Sequence, residues 1–257
     1  MRTGAWRVSM QRPGASSANK SIGWNTSSMV TGVTNNGVTT NYAYSDVGST
    51  RTTTVSDAVS GDRVVTINLS TGLVSSDQNE LGKATSYTYY SGSGLLNTVT
   101  AAEGNYATFT YDGRGNLTQT TVTPKSGSGL SAITTSATYP ASDPTKTWLC
   151  ASGTPVVKCN KPTTTTDAKG NVTNYAWDST TGLPTSVTRP APTTGAVQPQ
   201  TRYSYSSVYA QYLSGGSLVN FGTPVTRLTA ISQCQTTSSC TGGADETRPV
   251  RCQRARA

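Results

Sequence analysis

The sequence predicts an all-β fold of repeated antiparallel β-hairpins forming a curved or spiralling sheet. Three observations predict it. Four times a glycine is followed five and seven residues later by an aromatic: Gly37 with Tyr42 and Tyr44, Gly82 with Tyr87 and Tyr89, Gly104 with Phe109 and Tyr111, Gly170 with Tyr175 and Trp177. The step from Gly82 to Gly104 is 22 residues, and the steps of 45 and 66 on either side are close to two and three such units. A fixed period of this size marks a repeat architecture, in which each unit relies on its neighbours to bury its apolar face. Second, residues alternate with the strand period of two: Val172, Asn174, Ala176 and Asp178 fall on one face, Thr173, Tyr175 and Trp177 on the other. Third, no stretch sustains a capped i, i+3, i+4, i+7 apolar pattern, so almost no helix is expected.

The elements follow in order along the chain. Residues 1–29 read as an unpatterned N-terminal segment, in which Met1 to Lys20 match nothing downstream. Residues 30–123 carry a first run of repeats, and residues 124–161 an insertion that holds Cys150 and Cys159. Repeats resume over 162–230. Each copy reads as a glycine turn, a strand ending in aromatics, a second glycine turn and a second strand. Gly182-Leu183-Pro184-Thr185-Ser186-Val187 matches Gly94-Leu95-Leu96-Asn97-Thr98-Val99, and Gly115-Asn116-Leu117-Thr118 is a shorter version. Glycine supplies the positive φ such turns demand, with Asn and Asp the best substitutes. Thr, Val and Tyr suit the pleated strands between them. Residues 231–257 form a cysteine-containing loop and an abrupt Arg-rich tail. Because both ends abandon the repeat, the sequence predicts a truncated or frame-shifted fragment of a longer chain.

Composition agrees with a repetitive β protein. Charged residues make up 12% and hydrophobic ones 33%, against about 25% and 45–50% (the latter counting glycine) in ordinary domains. The net charge of +8 sits at the ends: four basic residues lie in the first twenty positions and four in the last ten, whereas residues 21–243 hold 12 basic and 10 acidic side chains. No Lys/Arg cluster interleaved with aromatics occurs in the body, so no nucleic-acid partner is expected. No apolar run reaches the length of a membrane span, and no signal peptide is visible.

Five cysteines are present. Cys150 and Cys159 bracket one short polar loop, and Cys234 and Cys240 another, which suits local disulfides in an oxidising compartment. Free thiols are the alternative. Metal fits poorly, for there is no CxxC and no histidine in the chain. The missing histidine also removes Ser–His and Cys–His nucleophile pairs. Asp112, Asp167 and Asp178 lie at repeat turns, where Asp commonly caps backbone N–H groups. No carboxylate pair suggests a glycosidase, and Arg114 stands among the would-be calcium ligands of the Asp112–Asn116 turn. Neither catalytic residues, nor a cofactor, nor a metal site is expected.

The segment Phe109-Thr110-Tyr111-Asp112-Gly113-Arg114-Gly115-Asn116-Leu117-Thr118 resembles the signature of the Rhs repeat, or YD repeat. Thr166 through Asp178 is a second strong match, with Gly170, Asn171 and Asp178 in place and Trp177 replacing the tyrosine. Tyr44-Ser45 and Tyr89-Tyr90 keep the aromatic and lose the Asp, and Gly61 through Leu73 is a degraded copy with Ile67 at the aromatic position. The resemblance covers roughly 30–213. It implies a wall piece of an Rhs-type β-shell: a non-catalytic scaffold of a secreted or cell-surface bacterial protein. Such a shell encloses and delivers a C-terminal toxin in bacterial competition. The implied partners are the remainder of the Rhs-like chain and its toxin domain. Asp143-Pro144 lacks the Gly-Leu that follows the autoproteolytic Asp-Pro of many family members, so that role is not carried over.

The recurring aromatics have two readings. Aligned turns would stack them into a structural ladder, with cross-strand pairs contributing about 0.2–1 kcal/mol each. Alternatively their faces hold pyranose rings, making the chain a carbohydrate-binding surface adhesin with surface glycans as partners.

Overall fold

Short alternating Thr/Val/Tyr segments separated by glycine turns can satisfy their backbone groups only by pairing with one another. They do so in sequence order. In a computed structural model, the described residues are 9–11, 13, 14, 16, 19–57, 59, 61–235, 240 and 245–250. They fold into strands, with a single 3₁₀ turn at Val156–Lys158. The chain divides into two compact units, residues 1–109 with 121–132, and residues 110–120 with 133–257.

In the first unit β1 (Ser9–Met10), β2 (Lys20–Trp24), β3 (Val30–Asn35), β4 (Val38–Val47) and β5 (Thr50–Ser56) pair antiparallel, each with the next. The meander continues through β6 (Arg63–Asn68), β7 (Val74–Gln78), β8 (Ala84–Tyr89) and β9 (Leu96–Thr100) to the start of β10 (Tyr106–Tyr111). β11 (Leu117–Thr123) follows. In the second unit β12 (Ile133–Thr138), β13 (Thr164–Thr166), β14 (Val172–Trp177) and β15 (Pro184–Thr188) continue the same pattern. They are followed by the long pair β16 (Gln200–Ser214) and β17 (Ser217–Cys234), and by β18 (Glu246–Pro249).

Pairing extends past the boundaries that the pattern suggests. Lys20–Trp24, in the stretch that reads as unpatterned, pairs with β3 and carries Trp24 where a repeat carries its second aromatic. Ile133–Thr138, inside the expected insertion, pairs with β13. Glu246–Pro249, in the expected tail, pairs with β17. In each case the backbone ladder tolerates side chains that depart from the repeat, because main-chain bonds do not read side-chain identity.

Two loop forms join the strands. A five-residue loop closes with the N–H of its first residue bonded to the carbonyl of its fifth, and the N–H of its fourth to the carbonyl of its first. It occurs at 25–29, 79–83, 101–105, 112–116 and 167–171, with N···O distances of 2.9–3.1 Å. Its fourth position has positive φ, filled by Gly82, Gly104, Gly115 and Gly170, and in the first copy by Ser28. A six-residue loop ending in Gly-Leu closes in the same way at 68–73, 90–95 and 178–183. One unit of 22 residues is therefore β8, a six-residue loop, β9 and a five-residue loop. Gly37 differs: with Asn36 it forms a two-residue hairpin turn, φ +49° and +85°.

Almost nothing is buried. Among the described residues the buried positions are Gly182, Thr201 and Cys234.

Candidate functional site

The repeat residues converge on the turns. Asp112 and Asp167 each open a five-residue loop, and their carboxylates cap it. Asp167 Oδ1 accepts from the N–H groups of Lys169 (2.8 Å) and Asn171 (2.9 Å), and Oδ2 from Asn171 Nδ2 (2.9 Å). Asp112 accepts the same three bonds from Arg114 N–H, Asn116 N–H and Asn116 Nδ2, each at 2.9 Å. Asn25 and Asn79 use their amide oxygens for the same two N–H groups in their own loops. In the six-residue loops, Asp178 and Asn68 accept from the second and third following N–H groups. The Asp of the Tyr-Asp pair is thus a turn cap.

These bonds set the carboxylates' acidity. Hydrogen bonds from Asn171 hold Asp167 below the usual carboxylate range, and bonds from Thr181 do the same for Asp178. Burial pushes Asp112 upward, yet the donors of Asn116 and Arg114 outweigh it and the net shift is downward. None of the three carboxylates has the raised pKa of a general acid.

In three of the repeats the second aromatic makes the same kind of bond. Tyr44 donates its hydroxyl to the Val30 carbonyl (2.7 Å), Tyr89 to the Val74 carbonyl (2.8 Å), and Trp177 its Nε1–H to the Pro162 carbonyl (2.7 Å). Each acceptor lies two residues upstream of the last ladder pair with the preceding strand, at Gly32, Ser76 and Thr164. The aromatic head group reaches sideways to a carbonyl just beyond that ladder. Bulges sit immediately before Trp24, Ile67, Tyr89 and Trp177, turning this position relative to the partner strand.

The expected aromatic-on-aromatic ladder is corrected. Tyr42, Tyr87 and Tyr175 stand opposite Val55, Val99 and Val187, and Tyr89 and Trp177 opposite Leu96 and Pro184. A repeat is two strands long, so same-phase aromatics recur on every second strand and meet aliphatic residues, or at Tyr44 the Thr53 side chain, between. Phe109 and Tyr111 lie in β10 at the matching phase. Nor does Trp177 present a free platform. Tyr175 stacks beside it at 6.2 Å, and the Lys161 ammonium sits 5.1 Å from its ring centre.

Within the second unit, a segment of the expected insertion is docked on these turns. Arg114, only 3% exposed, pairs with Asp112 at 2.8 Å. It also donates to Ser142 Oγ and the Pro140 carbonyl, both at 2.7 Å. Asn116 Nδ2 donates to Asn160 Oδ1 at 3.1 Å. Cys150 and Cys159 are joined by a disulfide with Cα atoms 5.7 Å apart, and a bridge links Ser142 to Cys150. The Val156–Lys158 turn lies so near Gly182 that a Cβ there would stand 2.7 Å from the Val157 carbonyl oxygen. Sequence reasoning noticed Arg114 only as an obstacle to calcium, whereas it is the anchor of this segment. Cys234 and Cys240 are likewise joined, Cα atoms 4.4 Å apart; Cys252 lies outside the described residues.

Residues 90–127 match the family model for the RHS Repeat, which takes in a six-residue loop, β9, a five-residue loop, β10, the Asp112 turn and β11. Those residues form an Rhs repeat. Solved structures to which the chain is similar include the crystal structure of TcdB2-TccC3-Cdc42, at 14% identity and TM-score 0.48, covering 89% of this chain and 10% of that one. The crystal structure of TcdB2-TccC3 aligns at 14% identity and TM-score 0.43, covering 86% and 11%. The Photorhabdus luminescens Tc holotoxin pore aligns at 14% and 0.27, covering 90% and 15%. The chain thus spans about a tenth of the length of the first of these. No curated protein matches the sequence. Among the described residues no cluster of three metal-ligating side chains occurs, and no helix is long and apolar enough to cross a membrane.

Proposed function

We propose that the chain is a non-catalytic stretch of wall in a secreted or cell-surface Rhs-like shell, which encloses a C-terminal toxin and delivers it in bacterial competition. The observation that supports this is a sheet without a core of its own. Among the described residues Cys234 is the only apolar side chain that is fully buried, whereas an isolated domain of this length ordinarily buries roughly 70% or more of its unfolded surface. Such a sheet is suited to being one stretch of a larger surface whose other parts complete its packing. The turn carboxylates engaged in capping, and the Arg114 anchor, fit a scaffold whose polar groups serve shape.

The test is to read the gene through its downstream end and to express its whole product. The reading expects further repeats, then an unrelated domain that resists protease while the repeats are intact and is digested once they are unfolded. A product without further repeats, or a C-terminal domain digested as readily in the native protein, overturns it.

A further inference from the structure

The β16–β17 hairpin departs from every other hairpin of the chain. Its strands are 15 and 18 residues long, where β6 to β15 run to at most seven. β16 pairs with β15 only through Arg202, and β17 with β18 only from Ala230 onward. The distal part is a two-stranded ribbon closed by Gly215-Gly216, and every residue from Ser206 to Arg227 is exposed. Between Arg202 and Arg227 there is no Asp, Glu, Lys or Arg. The ribbon instead exposes Val208, Tyr209, Tyr212, Leu213 and Phe221. A lone two-stranded ribbon is marginal in water, and open edges recruit other strands.

The two edges are not equivalent. From Ser204↔Ala230 to Tyr205↔Leu228, β16 advances one residue and β17 two; from Val208↔Val225 to Ala210↔Phe221, β16 advances two and β17 four. Both irregularities therefore lie in β17, which also carries Gly222 and Pro224. Bulges and proline are the devices that blunt an edge against pairing. β16 has neither, and from Tyr203 to Ser214 no glycine, proline or charge.

From this asymmetry we infer that the outer edge of β16 is a docking edge for β16 of a second copy of this chain, forming a two-fold antiparallel dimer by strand addition. A second copy fits for two reasons. Without charge between Arg202 and Arg227, no like-charge pair on β16 opposes self-association. Centred on Tyr209, the two-fold sets Tyr205 opposite Leu213 on one face and Val208 opposite Ala210 on the other, with Ser206 opposite Tyr212 and Ser207 opposite Gln211, so each face gains an apolar pair and no charge is opposed. The inference rests on β16 and β17 alone and stands apart from the shell reading.

The experiment is sedimentation velocity on the full chain over a wide concentration range, after free thiols are alkylated. The expected result is a reversible doubling of mass with concentration. Tyr209→Lys, which sets two ammonium groups against each other at the two-fold, should weaken dimerisation several-fold, since opposed like charges destabilise a strand pair. Thr223→Lys on the blunted edge should leave it unchanged, and circular dichroism of both variants should match the parent because both sites are exposed. A chain monomeric throughout, open-ended aggregation, or a dimer that responds equally to both substitutions overturns the inference.

Discussion

At the scale of single residues, the turn caps separate geometry from charge. Asn stands natively where Asp caps in three loops, at Asn25, Asn68 and Asn79, so Asp167→Asn keeps the two N–H bonds of the cap, loses only the acceptor for Asn171 Nδ2, and at this exposed turn should change stability little at neutral pH. Asp112→Asn keeps the same two N–H bonds and strips Arg114 of its counter-charge, leaving a guanidinium that is 3% exposed. Breaking a buried pair from one side costs about 3–5 kcal/mol, and Asp112 retains some exposure, so a loss near the lower figure is expected in urea denaturation. Equal behaviour of the two variants would show that Arg114 gains nothing from Asp112. Glycine offers a similar contrast. Gly170 and Gly182 both have positive φ, +82° and +69°, but a Cβ at 170 meets nothing within 4 Å and at 182 meets the Val157 carbonyl. Gly170→Ala should cost the left-handed penalty of about 1–2 kcal/mol. Gly182→Ala should cost more, and should also loosen 156–158, visible as faster amide exchange there.

Acid should act through these same turns. Asp112, Asp143, Asp167 and Asp178 are all held below the ordinary carboxylate value in the folded chain. A depressed folded pKa contributes stability that is complete above the unfolded value of about 3.9 and disappears as pH falls through the folded one. Stability should therefore be level from neutral pH down to about 5 and fall below about 4. Asp167→Asn should flatten that fall, in urea midpoints measured at stepped pH. An undiminished fall in the variant would place the acid sensitivity elsewhere.

At the scale of elements, the second aromatic closes a hairpin's end at Tyr44, Tyr89 and Trp177. Tyr44→Phe and Tyr89→Phe keep the ring and delete one hydrogen bond to Val30 or Val74, a loss of about 1 kcal/mol. Amide exchange should quicken locally, around β3 in one variant and β7 in the other, because repeat stability is a sum of near-neighbour contributions. Exchange rising uniformly along the chain would contradict that locality. The disulfide-closed segment is held more broadly, by Arg114, Asn116, the Cys150–Cys159 bond and the fit against Gly182. The loop form is also an element-scale property: Ser28 at φ +60° completes the five-residue loop without glycine, so this copy escapes a search keyed on Gly.

At the scale of the whole chain, the dominant fact is exposure. Trp148 is 64% and Leu130 74% exposed. Isolated apolar residues on a surface are ordinary, but here little apolar interior balances them. The native chain alone should bind a hydrophobic dye such as ANS while giving a strand-dominated circular dichroism spectrum. Helix above about a quarter of residues, roughly the share of an ordinary domain, would contradict the fold itself.

The sequence by itself determined the strand class, the 22-residue unit and the turn-capping role of Asp112, Asp167 and Asp178. These depend on local causes: period-two alternation, positive φ at glycine, and side-chain bonds to N–H groups two to four residues away. It also showed which cysteines neighbour each other along the chain. Only the tertiary structure decided that Arg114 anchors Pro140 and Ser142, that Gly182 must stay small beneath Val157, and that Tyr and Trp head groups reach the preceding strand. It likewise decided that Lys20–Trp24 and Ile133–Thr138 join the meander and that same-phase aromatics face valines. These depend on which strand lies beside which. Backbone pairing accepts nearly any side chain, so alternation shows that a segment is a strand and leaves its neighbour unstated.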